Sequence, residues 1–415
     1  MRRPLTVLLA TDVFPPRCGG SGWSTYHLAR ALRARGHRVI VARPRTLPRG
    51  VASRVIPYDG LPVHECPLPD VRVPLARGVA RQERFWPRFA AFLADLAHRE
   101  RADLIHGQHL LSVPAAVAAA RRAGVPAVAT VRDYWPTCPT GTRLPRCPDA
   151  PRCSAACQVC CLARGRRALR PAVHALLPYV RANLARRQRA LREASRVIAV
   201  SNHVATVLRD AIPGLAPVVL PNFIDLSAVD AAGDAAPEPR DGPMVLYAGK
   251  LDYHKGADLL PAAVAAVPGA RLVVAGDGPL ADAVARECAA RGVALDLRDQ
   301  VPNEEVLRLM RAADALLSPA RWEEPLSRTL LEAGAAGLPA VALATGGTPD
   351  IVADGETGLL VADPAGLGPA LAALLADPAR RARLGAAARE RIAAHFSEDA
   401  VVPRVEALYR EVCEG

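Results

Sequence analysis

Short apolar runs alternate with amphipathic helical patterns along nearly all of this 415-residue chain. Strands that are apolar at successive positions are buried on both faces, which is typical of parallel sheets covered by helices. A helical pattern from Trp23 to Arg35 follows the first run. The predicted strands are Leu5 to Ala10, Arg38 to Ala42 (closed by Pro44), Leu104 to His106, Ala127 to Val131, Val197 to Val200, Val245 to Ala248, Leu272 to Ala275, Ala315 to Leu317 and Ala340 to Leu343. The chain is therefore predicted to be an α/β protein.

The strands fall into two series, separated by a stretch rich in Ala, Asp, Pro and Gly over 227–243. Such composition is typical of an interdomain linker, and the length suits two domains. We place the boundary at Asp225, which gives Rossmann-like domains over 1–225 and 226–395. Residues 396–415 are predicted to form a terminal helix that packs on the N-terminal domain, with Ser397 as N-cap and Glu398 in its first turn.

The composition is globular, with 51% hydrophobic and 23% charged residues, and this excludes long disordered stretches. No apolar run reaches the roughly 20 residues that a membrane span needs. The start of the chain has no signal-peptide cleavage site, so we expect a cytoplasmic protein with its ten cysteines reduced or bound to metal. The net charge of +12 suits nucleic acid, anionic lipid or a phosphorylated small molecule, and equally an Arg-rich genome.

Residue types that bind phosphates and hydroxyls follow the strands of the second series, where open α/β sheets bind ligands. Lys250 and Lys255 come after the first of these strands, and lysine is a point-charge donor suited to phosphate oxygens. Pro325 fits the first turn of a helix that carries Glu324 at its start and Glu332 about two turns later. A carboxylate in such a place can accept hydrogen bonds from the paired hydroxyls of a ribose.

Glycine turns accompany these residues. Gly276, Gly278 and Gly346 lie in strand-to-helix turns of the second series, and Gly19 and Gly20 lie in one of the first series. Glycine lets a backbone approach a ligand closely, and free N–H groups at a helix N-terminus attract phosphate. Each turn alone is also what an ordinary tight connection looks like. Together with the lysines and glutamates they favour a sugar nucleotide as the ligand.

On these residues the chain resembles the retaining glycosyltransferases of family 4. That family has the GT-B fold, in which two Rossmann-like, doubly wound parallel-sheet domains face a central cleft. Its E-x7-E pattern matches Glu324 and Glu332. The N-terminal half matches more loosely, through the Gly19–Gly20 loop and Arg35 to Val39. Further similar segments are Pro221 to Asp225, Gly249 to Gly256, Gly276 to Pro279, Glu324 to Gly337 and Gly346 to Gly358.

The resemblance implies transfer of a hexose-type sugar from a UDP-, GDP- or other nucleotide-diphosphate donor bound by the C-terminal domain, with no cofactor or metal needed for catalysis. Lys250, where the family usually has Arg, and Lys255 would neutralise the diphosphate. Glu324 would hold sugar hydroxyls and Glu332 the ribose. Attack on the same face as the leaving group is implied, with a phosphate oxygen accepting the acceptor's proton. The donor-binding residues implied are Gly19, Gly20, Lys250, Lys255, Gly276, Gly278, Glu324, Leu326, Ser327 and Glu332.

The catalytic residues implied are Glu324, Lys255 and His109, of which the histidine is the least clear. Relatives often carry His-x-His after the strand at Leu104 to His106, and here the second histidine of that pattern falls on Gln108 with His109 beside it. A nearby His-Asp pair of relatives is replaced by an Arg-Asp pair that ends in Asp133. The alternative for His109 is a structural histidine at a strand end.

Six of the ten cysteines lie in an insertion at about 136–165: Cys138, Cys147, Cys153, Cys157, Cys160 and Cys161. Clustered thiolates in a cytosolic loop suggest a structural zinc ion, and Cys157 and Cys160 form a C-x2-C pair. Disulfides or free thiols are the equal alternative, and an iron–sulfur cluster is the third.

Residues 164–196 contain ten arginines and a single acidic residue, Glu193. Apolar residues recur there near helical spacing, interrupted by Pro178. Such a helix either lies on anionic lipid at the inner face of the membrane or covers the domain core with a solvated arginine face. The first alternative suits a lipid-linked acceptor, and the second suits a small-molecule acceptor.

Two other functions compete with the transferase. A sugar-nucleotide epimerase or a phosphorylase could share the fold, but Glu332 counts against the first and no pyridoxal lysine can be placed for the second. A metal- and nucleic-acid-binding non-enzyme would use the arginines and cysteines, yet it leaves the second domain unexplained. With 4% aromatic residues the chain offers few platforms for base stacking, and we expect no nucleic-acid partner.

Overall fold

The computed structural model describes residues 3–16, 18–47, 50–51, 53–68, 84–142, 153–163, 166–233 and 242–415. These residues form two compact units. The first contains the described residues up to Leu220 together with Val402–Gly415, and the second contains Pro221–Val401. Each unit is built on one largely parallel sheet with helices between its strands, so the prediction of two α/β domains is confirmed.

The described part of the first unit has eight strands: β1 (Thr6–Ala10), β2 (Arg38–Arg45), β3 (Arg54–Tyr58), β4 (Leu61–Pro67), β5 (Leu104–Gly107), β6 (Ala127–Val131), β7 (Arg196–Ala199) and β8 (Val218–Val219). They pair in the order β3-β4-β2-β1-β5-β6-β7-β8, and only β3 runs antiparallel to its neighbour. The helices are α1 (Gly20–Ala34), α2 (Phe85–Glu100), α3 (Ser112–Ala123), α4 (Ala155–Leu162), α5 (Arg170–Glu193) and α6 (Asn202–Ala211).

The centre of this sheet is β1, which lies between β2 and β5 and is fully buried from Val7 to Ala10. The strand order reverses here, because the chain moves outward from β1 to β2 and then returns to β5 on the other side. Open α/β sheets bind ligands at such a switch point, outside the carboxyl ends of the strands. The loops after β1, β5 and β6 are therefore the parts of this unit in which a site is expected.

The second unit has strands β9 (Met244–Ala248), β10 (Arg271–Ala275), β11 (Ala294–Arg298), β12 (Ala315–Ser318), β13 (Ala340–Leu343) and β14 (Gly358–Val361), all parallel in the order β11-β10-β9-β12-β13-β14. Its helices are α7 (Leu226–Ala231), α8 (Leu260–Ala265), α9 (Ala281–Ala290), α10 (Asn303–Ala312), α11 (Arg328–Ala335), α12 (Thr348–Ile351), α13 (Leu367–Leu375) and α14 (Pro378–Phe396). The switch point lies between β9 and β12, and the loops after these strands carry the lysines and Glu324.

The last helix, α15 (Glu398–Glu414), begins in the second unit and belongs to the first from Val402 onward. Ser397 caps its start, because the serine Oγ accepts a hydrogen bond from the amide of Ala400 at 3.1 Å. Within the first unit, the hydroxyl of Tyr409 lies 2.6 Å from Nδ1 of His106, and both side chains are buried. This contact fastens α15 to β5.

Two details of the strand prediction are corrected. Pro44 does not close β2, which continues to Arg45, because β1 ends opposite Ala42 and the missing N–H of Pro44 interrupts no bond to β1. The sequence also gave no prediction of β3 and β4, whose antiparallel register places Pro57 opposite Pro62. Proline is tolerated there because this hairpin forms the edge of the sheet.

Candidate active site

The loops after β9 and β10 pack backbone against backbone, and glycine makes this possible. A Cβ added to Gly276 would lie 2.0 Å from the carbonyl oxygen of Gly249, and Gly276 has a φ of 149°. A Cβ added to Gly278 would lie 2.4 Å from the carbonyl oxygen of Leu251. Both glycines are thus required by the contact between the two loops. Their role in binding a donor stays a prediction.

The loop after β12 also packs backbone against backbone, on one side with the loop after β9 and on the other with the loop after β13. A Cβ on Gly256 would lie 1.9 Å from the carbonyl oxygen of Pro319, and one on Gly346 would lie 2.4 Å from that of Glu324. The same Glu324 carbonyl accepts a hydrogen bond from the amide of Gly347 at 2.7 Å. The backbone that carries Glu324 is therefore held by the loops after β9 and β13.

Lys255 and Glu324 meet at the switch point of the second sheet. The lysine Nζ lies 2.5 Å from Oε2 of Glu324, and the side chains are 34% and 12% exposed. The indole Nε1–H of Trp322 donates to the same Oε2 at 2.7 Å, and the ammonium lies 5.1 Å from the centre of the indole ring. Sequence reasoning missed Trp322. Its position two residues before the glutamate was the available signal.

The second lysine lies on the same turn. Nζ of Lys250 is 3.7 Å from Oδ2 of Asp252, and the lysine side chain is 66% exposed. Oδ1 of Asp252 accepts a hydrogen bond from the backbone amide of Lys255 at 3.0 Å, which fixes the turn between the two lysines. Asp252 was also missed by sequence reasoning. The turn presents two ammonium groups at the carboxyl end of β9.

The helix after β12 starts later than the sequence suggests. Ser327 is its N-cap, with Oγ accepting a hydrogen bond from the amide of Leu330 at 3.4 Å, and the first helical residue is Arg328. The prediction that Glu324 lies at the helix start with Pro325 in the first turn is therefore wrong, and Glu324 lies in the loop before it. The amides of Leu326 and Ser327 make no hydrogen bond within the described residues.

Glu332 lies on α11 with its side chain 6% exposed. Its Oε1 accepts hydrogen bonds from Nε of Arg328 at 2.9 Å and from Nδ2 of Asn303 at 3.1 Å. One carboxylate oxygen is thus occupied by two neighbours, which fixes the orientation of the group. Asn303 was not predicted, since it opens a different helix, whereas Arg328 is recognisable from its i,i+4 spacing.

The carboxyl end of β11 carries a network of charged side chains. Oδ2 of Asp296 accepts hydrogen bonds from Nη2 of Arg271 at 2.8 Å and from Nε of Arg298 at 3.0 Å. Burial alone would raise the pKa of Asp296, but the hydrogen bonds and charges of the two arginines outweigh burial and lower it. Nη1 of Arg298 also lies 3.2 Å from Oε1 of Glu305.

In the first unit, His109 lies between two carboxylates. Its Nδ1 is 3.4 Å from Oδ2 of Asp12 and its Nε2 is 3.2 Å from Oδ2 of Asp133. Asp12 follows β1 and also accepts hydrogen bonds from the amides of Leu111 and Ser112, at the start of α3. The three side chains therefore come from the loops after β1, β5 and β6, at the switch point of the first sheet.

The charge of His109 is set by these carboxylates. Burial alone would lower its pKa, but the hydrogen bonds and charges of Asp12 and Asp133 raise it to about 10. The amide of Leu110 also lies 2.8 Å from Nδ1, and only the neutral ring, protonated at Nε2, can accept this hydrogen bond. The charged ring gives up that hydrogen bond and donates from Nδ1 to Asp12 and from Nε2 to Asp133. Because two carboxylates outweigh one backbone amide, the charged ring is the state that the raised pKa describes.

The residues next to His109 and Asp133 in the sequence make other contacts and have other charge states. His106 is fully buried, and burial holds its pKa well below the usual value, so it is a neutral core residue. Nη2 of Arg132 donates to Oε1 of Gln108 at 2.5 Å, so the two positions that depart from the family pattern are bonded to each other. This arrangement leaves His109 as the histidine at the strand end. Its catalytic role stays a prediction.

Gly19 is the N-cap of α1, and a Cβ on Gly19 or Gly20 would meet no atom of the described residues within 4 Å. Gly22 is the glycine that packing requires, since a Cβ there would lie 2.5 Å from Sγ of Cys18. The contact of Gly19 and Gly20 with phosphate stays a prediction.

Two family profiles match successive parts of the chain. The profile described as Glycosyltransferase Family 4 matches residues 18–228, half of the chain, and that described as Glycosyl transferases group 1 matches residues 232–391. The chain belongs to glycosyltransferase family 4.

Known proteins resemble this family 4 glycosyltransferase over nearly its whole length. Glycogen synthase of Mycobacterium tuberculosis is 28% identical over 439 residues, which cover 99% of this chain and 96% of the relative. Sucrose-phosphate synthase of Thermosynechococcus elongatus superposes with a TM-score of 0.75 at 23% identity, covering 98% of this chain and 99% of that one. Anabaena HepE, solved with UDP, has a TM-score of 0.69 at 18% identity over 98% of this chain and 100% of its own. The structural neighbours establish the GT-B fold, and the comparisons do not favour the epimerase alternative.

The described cysteines of this family 4 glycosyltransferase include one that is in a disulfide and others that are not. Cys157 is disulfide-bonded, and its Sγ lies 3.9 Å from that of Cys161. Cys138, Cys153, Cys160 and Cys161 form no disulfide within the part of the chain that the structure describes. Within the part of the chain that the structure describes, no three His, Cys, Asp or Glu side chains form a group that could hold a metal ion. Cys147 lies outside the described residues, so the zinc prediction remains untested.

The arginine-rich segment forms the long helix α5, which continues through Pro178 instead of breaking there. Val173, Leu184 and Leu191 are buried as the apolar spacing predicts, but Leu169 and Leu176 are 41% and 40% exposed. Most of its arginines face outward, while Arg187 is buried and donates to the carbonyl of Trp135 at 2.8 Å. Arg164 lies outside the described residues. No helix in the described ranges has the length and apolarity for a membrane span.

Proposed function

We propose that this glycosyltransferase moves a hexose-type sugar from a nucleoside-diphosphate sugar to a small-molecule or lipid-linked acceptor, with retention and without a metal ion. The observation that carries the proposal is the convergence of Lys250, Lys255 and Glu324 at the switch point of the second sheet. Two cations beside a carboxylate match a ligand that joins a diphosphate to a polyhydroxylated ring. HepE, a structural neighbour, has been solved with UDP-glucose, which makes this the first donor to test.

In this proposal, the diphosphate binds the ammonium groups of Lys250 and Lys255 and the amides of Leu326 and Ser327. These amides are available because they make no hydrogen bond within the described residues. They also lie just before the N-terminus of α11, where the helix dipole favours negative charge. Cations and amides together provide the neutralisation that a divalent metal ion supplies in other enzymes.

The two glutamates accept hydrogen bonds from different parts of the donor. Glu332 has one oxygen fixed by Arg328 and Asn303, and its other oxygen is the acceptor for the ribose hydroxyls. Glu324 binds the hydroxyls of the transferred sugar. A fixed carboxylate loses little freedom on binding, so its hydrogen bonds contribute more to affinity.

Catalysis then rests on stabilising the charge that develops on the leaving diphosphate. As the bond from the anomeric carbon to the phosphate oxygen breaks, the lysines bind that oxygen more strongly. The acceptor hydroxyl attacks the same face, and its proton passes to the departing phosphate oxygen. The group that orients the acceptor is Asp133, which His109 and the amide of Trp135 hold in place.

The surface of α5 bears on whether the acceptor is lipid-linked or a small molecule. The outward arginines of this helix have Glu193 as the one acidic residue beside them. Leu169, just before the helix, and Leu176 within it are exposed, and together these features suit an anionic lipid surface. A peripheral contact through 164–196 would bring the enzyme to a lipid-linked acceptor. The competing candidate is a small-molecule acceptor, with the arginines solvated.

A transfer assay read by product mass spectrometry tests the proposal. Glu324→Ala is expected to abolish transfer from the preferred donor, because the sugar hydroxyls lose their acceptor, while Glu356→Ala, an exposed loop carboxylate of the same unit, is the matched control. Transfer is expected to persist in excess EDTA. Wild-type activity in Glu324→Ala would refute the site, and loss of activity in EDTA that Mg²⁺ restores would refute metal independence.

A further inference from the structure

One oxygen of Glu324 carries two hydrogen-bond donors of different kinds. Lys255 Nζ lies 2.5 Å from Oε2 and Trp322 Nε1 lies 2.7 Å from the same atom. Oε1 accepts no hydrogen bond within the described residues. The carboxylate therefore has one engaged and one available oxygen, and it is 12% exposed.

The two donors respond differently to a diphosphate, and this step rests on the proposed function. Lys255 is a flexible point charge, and a diphosphate carries more negative charge than one carboxylate, so the ligand draws the ammonium away from Glu324. The indole N–H is neutral, donates only and titrates at no accessible pH. It remains on Oε2 when the lysine leaves.

The ring of Trp322 also limits where Lys255 can go. The ammonium lies 5.1 Å from the ring centre, within the range of a cation–π contact. The lysine can therefore exchange the carboxylate for a phosphate while it keeps its contact with the indole face. The indole N–H thus donates a hydrogen bond to Glu324, while the face of the ring contacts the ammonium of Lys255.

We infer that Trp322 is a positioning residue that fixes Oε2 of Glu324 while the donor diphosphate engages Lys255, so that Oε1 is presented to the hydroxyls of the transferred sugar. Trp322 acts through Glu324 and touches neither the nucleotide nor the reacting bond. Loss of the indole N–H affects recognition of the sugar, whereas an aromatic ring retained at position 322 keeps its contact with Lys255 and leaves recognition of the nucleoside diphosphate unchanged.

The test compares affinity for the nucleoside diphosphate with affinity for its sugar conjugate by calorimetry, in wild type, Trp322→Phe and Trp86→Phe. The control lies in the other unit, is buried and has an indole N–H without a partner among the described residues, so it reports the cost of a Trp-to-Phe change alone. Trp322→Phe is expected to bind the nucleoside diphosphate as wild type does and the sugar conjugate about tenfold more weakly, as loss of a hydrogen bond to a charged group predicts. In turnover, kcat is expected to fall with no change in product inhibition by the nucleotide.

Equal losses for both ligands, or none for either, would overturn the inference. If Trp322→Phe does not fold, benzothienylalanine at position 322 keeps the shape of the side chain, lacks the N–H, and is expected to give the same selective loss. Failure of the proposed function looks different, since wild type itself would then bind neither ligand.

Discussion

At the scale of single residues, two neighbouring carboxylates set the protonation state of His109. Asp12 and Asp133 approach the two ring nitrogens of His109 from loops that are distant in sequence. A histidine held charged in this way is a poor general base, because its proton is not available for exchange near neutral pH. Its contact with Asp133 holds that carboxylate in one orientation, and a catalytic role for His109 stays a prediction.

His109 gives a prediction about pH. Its pKa is raised from 6.5 to about 10, so its stabilising contribution is complete below pH 6.5 and is lost as the pH rises towards 10. The difference in free energy of unfolding between wild type and His109→Asn is expected to be largest at pH 6.5 and to shrink steadily above it. Urea unfolding at several pH values measures this difference. A difference that is constant over the range would show that His109 is neutral in the folded protein.

At the scale of elements, α5 combines a buried stripe with an exposed one. Its buried residues pack on the first unit, as at Val173, which contacts Val159 and Ala163 of the preceding segment. Leu169, just before its start, and Leu176 are exposed in the part of the chain that the structure describes. A helix that only covered a core would not need them, whereas a helix that meets lipid buries them in the interface.

Co-sedimentation with vesicles tests this surface. Binding to phosphatidylglycerol vesicles is expected at low salt, with a decrease at high salt and on pure phosphatidylcholine, since the attraction to anionic headgroups is screened. Leu169→Glu combined with Leu176→Glu is expected to lose most of the binding. Leu297→Glu alters a leucine of the second unit that is 39% exposed and is the matched control. Vesicle binding that the double variant retains would show that these leucines do not mediate it, and an absence of binding by wild type would favour the small-molecule alternative.

At the scale of the whole molecule, the parts that the sequence predicts are those set by local pattern. The continuous apolar runs give nine strands of the two sheets close to their observed limits. The E-x7-E spacing and the lysine turn give charged residues that the second sheet brings to its switch point. The strands are predictable because parallel strands are buried on both faces and so are continuously apolar. The grouping of the charged residues is predictable because the strands all end at the same edge of the sheet.

The remainder depends on tertiary contact and has no local pattern. The edge hairpin of β3 and β4 contains prolines that argue against strands unless the edge position is known. Asn303 and Asp12 contact Glu332 and His109, and only the fold brings these pairs together, in the case of Asp12 and His109 across nearly a hundred positions. Trp322 lies two residues from Glu324, but no pattern in the sequence shows that its indole N–H reaches the carboxylate. The helix start at Arg328 was misplaced because proline was given more weight than the capping serine.

The central claim is that the second unit binds a nucleoside diphosphate. The most direct measurement is the melting temperature of the purified protein with millimolar UDP, GDP, ADP, TDP or CDP. A ligand that binds only the folded state stabilises it by mass action, by about 2.7 kcal/mol at one hundred times its Kd. We predict that one of these nucleotides raises the melting temperature well above the others and so identifies the donor base. No rise with any of them would contradict the account.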